Sequence, residues 1–108
     1  GAQRVVENYN MMGPVKSALE ASVRELAVEL GPQKIRVNAL SSGPVKTRAA
    51  SGLSDFDKLM ELAAEKAPLH QLTTIEDVGA YAAFLVSDAA RHITGQTLFV
   101  DAGYNIMG

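Results

Sequence analysis

The feature that most constrains this chain is a long helical pattern, followed at once by a short run typical of a strand. Apolar residues recur every three or four positions from about Asn10 to Leu30, which is the period of an amphipathic helix. Gly31-Pro32 ends the pattern, because glycine can supply a left-handed cap and proline blocks continuation. The β-branched run at residues 35–40 then predicts a strand. Since a strand after a long helix is typical of a βα unit, we expect an α/β protein with a parallel sheet.

Two helical segments and a second strand are predicted further along the chain. Residues 48–52 and 55–67 have helical patterns, and a glycine-containing break separates them. Ser54 is the expected N-cap of the second helix, because its hydroxyl can accept a bond from a free backbone N–H. Residues 93–103 predict a closing strand between two turns.

One more helix is predicted between these segments, and its start has two possible registers. Thr73 with Glu76 has the spacing of a capping box, and Thr74 with Asp77 offers a weaker one a residue later. The pattern runs to about residue 87. We expect its inward-facing residues to be Val78, Ala82, Leu85 and Val86.

Composition excludes several classes of function. The net charge is −2, so no basic surface argues for nucleic acid. Cysteine is absent from the sequence, which excludes disulfides and thiolate chemistry and fits a reducing compartment. The longest apolar runs, such as residues 80–86, are too short to span a bilayer, so no membrane association is expected. His70 and His92 lack metal-ligand spacing, so we interpret both as structural and expect no metal site.

Tyr9 and Lys16 form the strongest candidate for a catalytic pair. They lie seven positions apart, which is close to two helical turns, so both fall on one helix face. Their Cα atoms would be roughly 10 Å apart along the axis, and Lys16 can lean back toward Tyr9. A nearby cation favours the phenolate and makes Tyr9 a better proton donor near neutral pH. A ligand hydroxyl group would fit between the two.

A second candidate site follows the first predicted strand. The loop reads Ser41-Ser42-Gly43-Pro44-Val45-Lys46-Thr47. In open α/β sheets, ligands bind outside the carboxyl ends of the strands, so a cofactor is expected to lie at this loop. The alternative interpretation of Gly43-Pro44 is a simple turn.

These residues resemble the enoyl-acyl-carrier-protein reductases, a divergent branch of the short-chain dehydrogenase/reductase superfamily. The pair resembles that family's Tyr-x6-Lys signature, whereas most of the superfamily has Tyr-x3-Lys, and the residue four after Tyr9 is Gly13. The strand and Gly-Pro loop, the paired helical segments and the closing strand match in the right order, so the resemblance covers essentially all 108 residues. It implies a Rossmann-type fold, with residues 1–108 forming the carboxyl-terminal part of one reductase domain.

The resemblance also implies an activity and a cofactor. The expected reaction is hydride transfer from NADH to the trans-2 double bond of an acyl chain on acyl carrier protein, within type II fatty-acid synthesis. The family's Gly-rich diphosphate turn has no counterpart in these residues, so we expect it, together with a second tyrosine, upstream of Gly1. The isolated chain is therefore expected to be inactive. A cytoplasmic homotetramer is also implied.

The roles of individual residues follow from the same resemblance. Tyr9 and Lys16 would be catalytic. In the family, the backbone at Val45 meets the nicotinamide carboxamide, and the hydroxyl at Thr47 meets phosphate. The expected cofactor-binding residues are Lys16, Gly43, Pro44, Val45, Lys46, Thr47, Arg48 and Ala49. The expected substrate-contacting residues are Tyr9, Met12, Ala49 and Phe56, the last on a helix that belongs to the family's lid over the acyl chain.

Three alternatives stand beside this interpretation. Tyr9 can be a half-buried packing residue and Lys16 a solvated one, as helix residues of these types commonly are. The chain can belong to another oxidoreductase of the superfamily, such as a β-ketoacyl reductase, although Gly13 at the usual lysine position argues against it. It can also be a non-catalytic interaction subunit. The residues that select NADH or NADPH belong to the segment expected upstream.

Overall fold

The computed structural model describes residues 12–45 and 54–107, with side chains described for 16–45 and 57–107. The chain divides into two compact units. The first comprises Gly1–Ala39 with Ser87–Leu98, and the second comprises Leu40–Val86 with Phe99–Gly108.

The first unit contains helix α1, Met12–Leu30. Its buried positions are Val23 and Ala27, which lie one turn apart, whereas Leu19 and Leu26 are exposed. Gly95 accounts for part of this arrangement, because a Cβ added there would lie 3.4 Å from the Cβ of Ala27. The buried side of α1 is thus formed by Val23 and Ala27 rather than by these leucines.

The end of α1 differs from the predicted glycine cap. A short 3-10 helix, Gly31–Gln33, follows Leu30 directly, with Pro32 at a position where its missing N–H costs nothing. The left-handed residue is Lys34, with φ of 64°, and its N–H donates to the carbonyl of Gly31. The expectation of a left-handed Gly31 was therefore wrong.

Strand β1 spans only Ala39–Ser41, so the predicted strand at residues 35–40 was correct at its end and too long at its start. The preceding residues belong to no regular element, and several of their hydrogen bonds involve side chains. The N–H of Val37 donates to the hydroxyl of Thr94 at 3.0 Å, and the side-chain amide of Asn38 donates to the carbonyl of Ile93 at 2.9 Å. These bonds replace the regular ladder.

The second unit contains helices α2, Ser54–Lys66, and α3, Ile75–Leu85. Ala63 and Ala67 are buried in α2 and just beyond its end. Thr74 caps α3 in a complete capping box with Asp77, while Thr73 is buried. The weaker of the two predicted registers is thus the real one. Leu85 is buried as predicted, but Val86 is 81% exposed because α3 has already ended.

Strand β2, Thr97–Phe99, pairs with β1 in a two-stranded sheet. In the first unit the N–H of Ala39 donates to the carbonyl of Gln96, and in the second the N–H of Val100 donates to the carbonyl of Ser41. Residue numbers rise together along both strands, so the pairing is parallel, and the predicted α/β class is confirmed.

Many large apolar side chains among the described residues are exposed, as expected for a sheet of two strands. They occur on all three helices and in the turns, and include Leu19, Val28, Leu59, Leu62, Leu69, Ile75 and Val86. None of the helices within residues 12–45 and 54–107 has the length and hydropathy of a membrane span.

Candidate functional site

The loop that leaves β1 requires a glycine at residue 43. Gly43 has φ of +66°, a conformation that side chains disfavour. A Cβ added there would also lie 2.8 Å from the Cβ of Asp101, closer than real Cβ contacts. The loop backbone therefore lies close to Asp101, the second residue after the strand at residues 97–99, and both belong to the second unit.

Asp101 is held in place by its own carboxylate. One carboxylate oxygen accepts from the N–H of Gly103 at 3.0 Å, and the other accepts from the N–H of Asn105 at 2.7 Å. The carbonyl of Asp101 accepts from the N–H of Tyr104 at 3.0 Å. Bonds of this kind are typical of an aspartate that opens a tight turn. Ala102 and Gly103 both have positive φ. We call residues 101–105 the Asp101 turn.

The loop offers backbone polar groups to a ligand. Ser42 donates from its hydroxyl to the carbonyl of Gly43 at 3.3 Å. The backbone N–H groups of Gly43 and Val45 donate to none of the residues that the structure describes, and Pro44 has no N–H to donate. Val45 is half-buried. A nicotinamide carboxamide carries both a donor and an acceptor, which a backbone N–H and carbonyl can meet, so these residues fit the cofactor that the sequence predicts.

The predicted site residues are described to different extents. Lys16 lies in the second turn of α1, in the first unit, and its side chain is exposed. The structure brings Gly43, Pro44 and Val45 together in one loop of the second unit. Met12 and Phe56 lie in the first turns of α1 and α2, with side chains outside the described part. Outside the described residues altogether lie Tyr9, Lys46, Thr47, Arg48 and Ala49.

Other titratable residues in the described part of the chain include two histidines and several acidic side chains. His70 and His92 are both exposed. Over residues 12–45 and 54–107, no three histidine, cysteine or acidic side chains are placed to hold a metal ion. Asp57 is half-buried and Glu61 is exposed.

The carboxyl group of Asp77 has a shifted pKa, and the shift has a structural cause. The backbone N–H and then the hydroxyl of Thr74 stabilise the charged form of Asp77, which lowers its pKa below the usual value. Asp77 is part of the capping box of α3, so its lowered pKa has a structural role. The sequence analysis did not single out Asp101, although an aspartate two residues before a glycine, near the end of a predicted strand, is a recognisable turn signal.

Comparisons with known proteins give a consistent result. The chain matches the family described as "Enoyl-(Acyl carrier protein) reductase" over residues 1–105. It is 52% identical over 108 residues to a Bacillus cereus protein whose name is enoyl-[acyl-carrier-protein] reductase [NADH]. The match covers 100% of this chain and 42% of that protein. The chain thus spans about two fifths of the length of such relatives.

Solved structures of enoyl reductases also match the chain over nearly its whole length. The crystal structure of the enoyl-(acyl-carrier-protein) reductase from Anaplasma phagocytophilum in complex with NAD superposes with a TM-score of 0.86 at 52% identity, covering 99% of this chain and 41% of that one. The Bacillus cereus enzyme with NADP⁺ and an indole naphthyridinone gives a TM-score of 0.86 at 51% identity, covering 99% and 42%. The Rossmann-type fold expected from the sequence is thereby confirmed. The match over nearly the whole chain shows that this protein belongs to the enoyl-acyl-carrier-protein reductase family.

Proposed function

We propose that this chain acts as part of an enoyl-acyl-carrier-protein reductase, and that residues 1–108 together form the carboxyl-terminal part of its single Rossmann-type domain. The observation that carries the proposal is the family match over residues 1–105, which includes the Tyr9–Lys16 pair. The helix that holds Lys16 begins by Met12, which supports the placement of the lysine on a continuous helical face.

Tyr9 and Lys16 have separate roles in the proposed reaction. Negative charge develops on the thioester oxygen when the double bond is reduced, and Tyr9 donates a hydrogen bond or proton to that oxygen. Lys16 holds the ribose hydroxyls of the cofactor and favours the ionised form of Tyr9. The exposed ammonium of Lys16 suits this role, because it is available to a ligand.

The proposed cofactor is NADH, which supplies the hydride for the β-carbon of the substrate. The loop of Gly43, Pro44 and Val45 holds its carboxamide through backbone groups, and the positive φ of Gly43 gives the loop the required shape. Thr47 contacts phosphate. Lys46, Arg48 and Ala49 complete the cofactor side of the loop.

The substrate proposed is an enoyl chain carried on acyl carrier protein. Met12, Ala49 and Phe56 line its path, and α2 covers it. The exposed apolar side chains of Leu59 and Leu62 on α2 favour a helix that meets an apolar partner. A cytoplasmic homotetramer remains part of this proposal.

A substrate comparison tests the reaction class. The full-length protein is mixed with NADH and either a crotonyl or an acetoacetyl thioester, and the loss of NADH absorbance is followed. Consumption with the crotonyl substrate alone is the expected result. Consumption with only the acetoacetyl thioester would assign the protein to the β-ketoacyl reductases. No consumption with either, together with normal folding, would favour the interaction subunit. The same assay with NADPH decides the cofactor preference.

A further inference from the structure

The Asp101 turn contacts two parts of the second unit that have separate roles in the proposed enzyme. On one side it contacts the loop at Gly43, where a Cβ would lie 2.8 Å from the Cβ of Asp101. Only a residue without a side chain lets the loop backbone approach Asp101 this closely, so the position of Asp101 limits where the loop can lie.

On its other side the turn contacts the end of α2. The N–H of Leu69 donates to the carbonyl of Ala102 at 3.1 Å. A Cβ added to Gly103 would lie 2.7 Å from the ring of Pro68, so these two residues are also in close contact. The ammonium of Lys66 lies 5.8 Å from the centre of the Tyr104 ring, within reach of a cation–π interaction.

Within the turn, one side chain accepts two of the backbone hydrogen bonds. Both carboxylate oxygens of Asp101 are used by backbone N–H groups, those of Gly103 and Asn105. Charge-assisted bonds of this kind are stronger than neutral ones. The residues that touch the loop and those that touch α2 are thus parts of one small hydrogen-bonded unit.

We propose that Asp101 is a positioning residue that joins the cofactor loop to the end of α2, so that binding at the loop alters the mobility of the helix end. The assignment of the loop and the helix to cofactor and substrate rests on the proposed function. Asp101 is proposed to contact neither the cofactor nor the substrate. It acts through the backbone of Gly43 and through Leu69 and Pro68.

The test compares Asp101→Asn with Asp88→Asn in the full-length protein. The first substitution keeps the shape of the side chain, but an amide can accept only one of the two backbone N–H bonds. Asp88 is exposed and lies in the first unit, so it controls for the loss of one negative charge. Dissociation constants for NADH are measured by titration, and amide hydrogen exchange is measured at Leu69 with and without NADH.

Wild type and Asp88→Asn are expected to show slower exchange at Leu69 when NADH is bound. Asp101→Asn should raise the NADH dissociation constant about three- to tenfold, a range typical of coupled neighbours, and should lose most of the NADH effect at Leu69. A residue that only stabilises the fold would lower the melting temperature and leave both readouts at wild-type values below it. That result would overturn the proposal.

If Asp101→Asn does not fold, a second variant tests the coupling between the loop and the end of α2. Lys66→Met removes an exposed charge at the end of α2 and should leave the fold intact. It should nonetheless raise the NADH dissociation constant about twofold or more, because the helix end and the loop share one turn. An unchanged constant would contradict the coupling.

Turnover of crotonyl thioester in the same preparations separates this inference from the proposed function. An inactive wild type that binds NADH and shows the Leu69 effect would refute the reductase activity and leave the coupling intact. An active wild type in which none of the variants changes NADH affinity or exchange would refute the coupling alone. Absence of any NADH binding would refute both.

Discussion

The backbone N–H of Gln96 donates to the side-chain oxygen of Asn38 at 3.2 Å, at a point where a regular parallel ladder would use a backbone carbonyl. The nitrogen of the same side-chain amide donates to the carbonyl of Ile93 at 2.9 Å. Asn38 therefore satisfies one donor and one acceptor of the segment that leads into β2. These two bonds hold the segment before β2 next to Asn38, within the first unit.

Asn38→Asp should destabilise the full-length protein. A carboxylate can still accept from Gln96, but it has no donor for the Ile93 carbonyl and places negative charge against it. We expect a loss of about 1–3 kcal/mol in the free energy of unfolding, measured by chemical denaturation. Gln33→Glu makes the same chemical change at an exposed residue and serves as the control. Equal stability of the two variants would show that the side-chain bonds of Asn38 contribute nothing.

The capping box of α3 should give the stability a measurable pH dependence. The folded pKa of Asp77 is lowered by the bonds to Thr74, so this contribution is present above the unfolded pKa and is lost as the pH falls through the folded one. Asp77→Asn should therefore flatten the stability profile in the acidic range. Glu76→Gln, in the same helical turn, is the control. The cap assignment fails if both variants keep the wild-type pH profile.

Gly43→Ala tests the shape of the loop. The variant must either hold alanine at a φ of +66° or shift the loop away from Asp101. Backbone strain of this kind costs about 1–3 kcal/mol. If the loop shifts to relieve the strain, that energy must be regained to bind the cofactor, so we expect NADH affinity to fall roughly tenfold in the full-length protein. Gly79→Ala is the matched control, because nothing lies within 4 Å of a Cβ there. Unchanged affinity for NADH in Gly43→Ala would remove this loop from the site.

The sequence predicted the class and order of the elements better than their bounds. The apolar period identified α1, but it includes Leu19 and Leu26, which are exposed, and it does not include Ala27, which is buried, because alanines carry little weight in such a pattern. Similarly, the strand pattern at residues 35–38 could not reveal that Val37 and Asn38 would bond to side chains and loop atoms more than fifty positions away. Those partners are determined by tertiary structure.

The start of α3 shows the same limit at shorter range. Thr73 and Thr74 each have an acidic residue three positions later, so spacing alone allowed both caps. Burial decides between them, because Thr73 is 7% exposed and packs inward, which leaves Thr74 at the cap. For the site, the sequence predicted the loop from its place after a strand. It did not reveal Asp101, whose role depends on a contact with Gly43 across the sheet.

The isolated 108-residue chain should bind NADH poorly and show no reductase activity. The diphosphate turn that we expect upstream is missing from it, and its exposed leucines and valines favour association. Calorimetric titration with NADH and light scattering test these two consequences. Turnover of a crotonyl thioester by the isolated chain would show that the present residues suffice.

The final prediction separates the roles of Tyr9 and Lys16 in the full-length enzyme. Tyr9 is proposed to act on charge that develops in the transition state, so Tyr9→Phe should lower kcat more than it weakens NADH binding. Lys16 is proposed to contact the cofactor, so Lys16→Ala should weaken NADH binding and turnover together. Lys16→Arg keeps the charge without the compact ammonium, and substantial recovery would mean that charge alone matters. The assignment is wrong if Tyr9→Phe weakens NADH binding while Lys16→Ala leaves it unchanged.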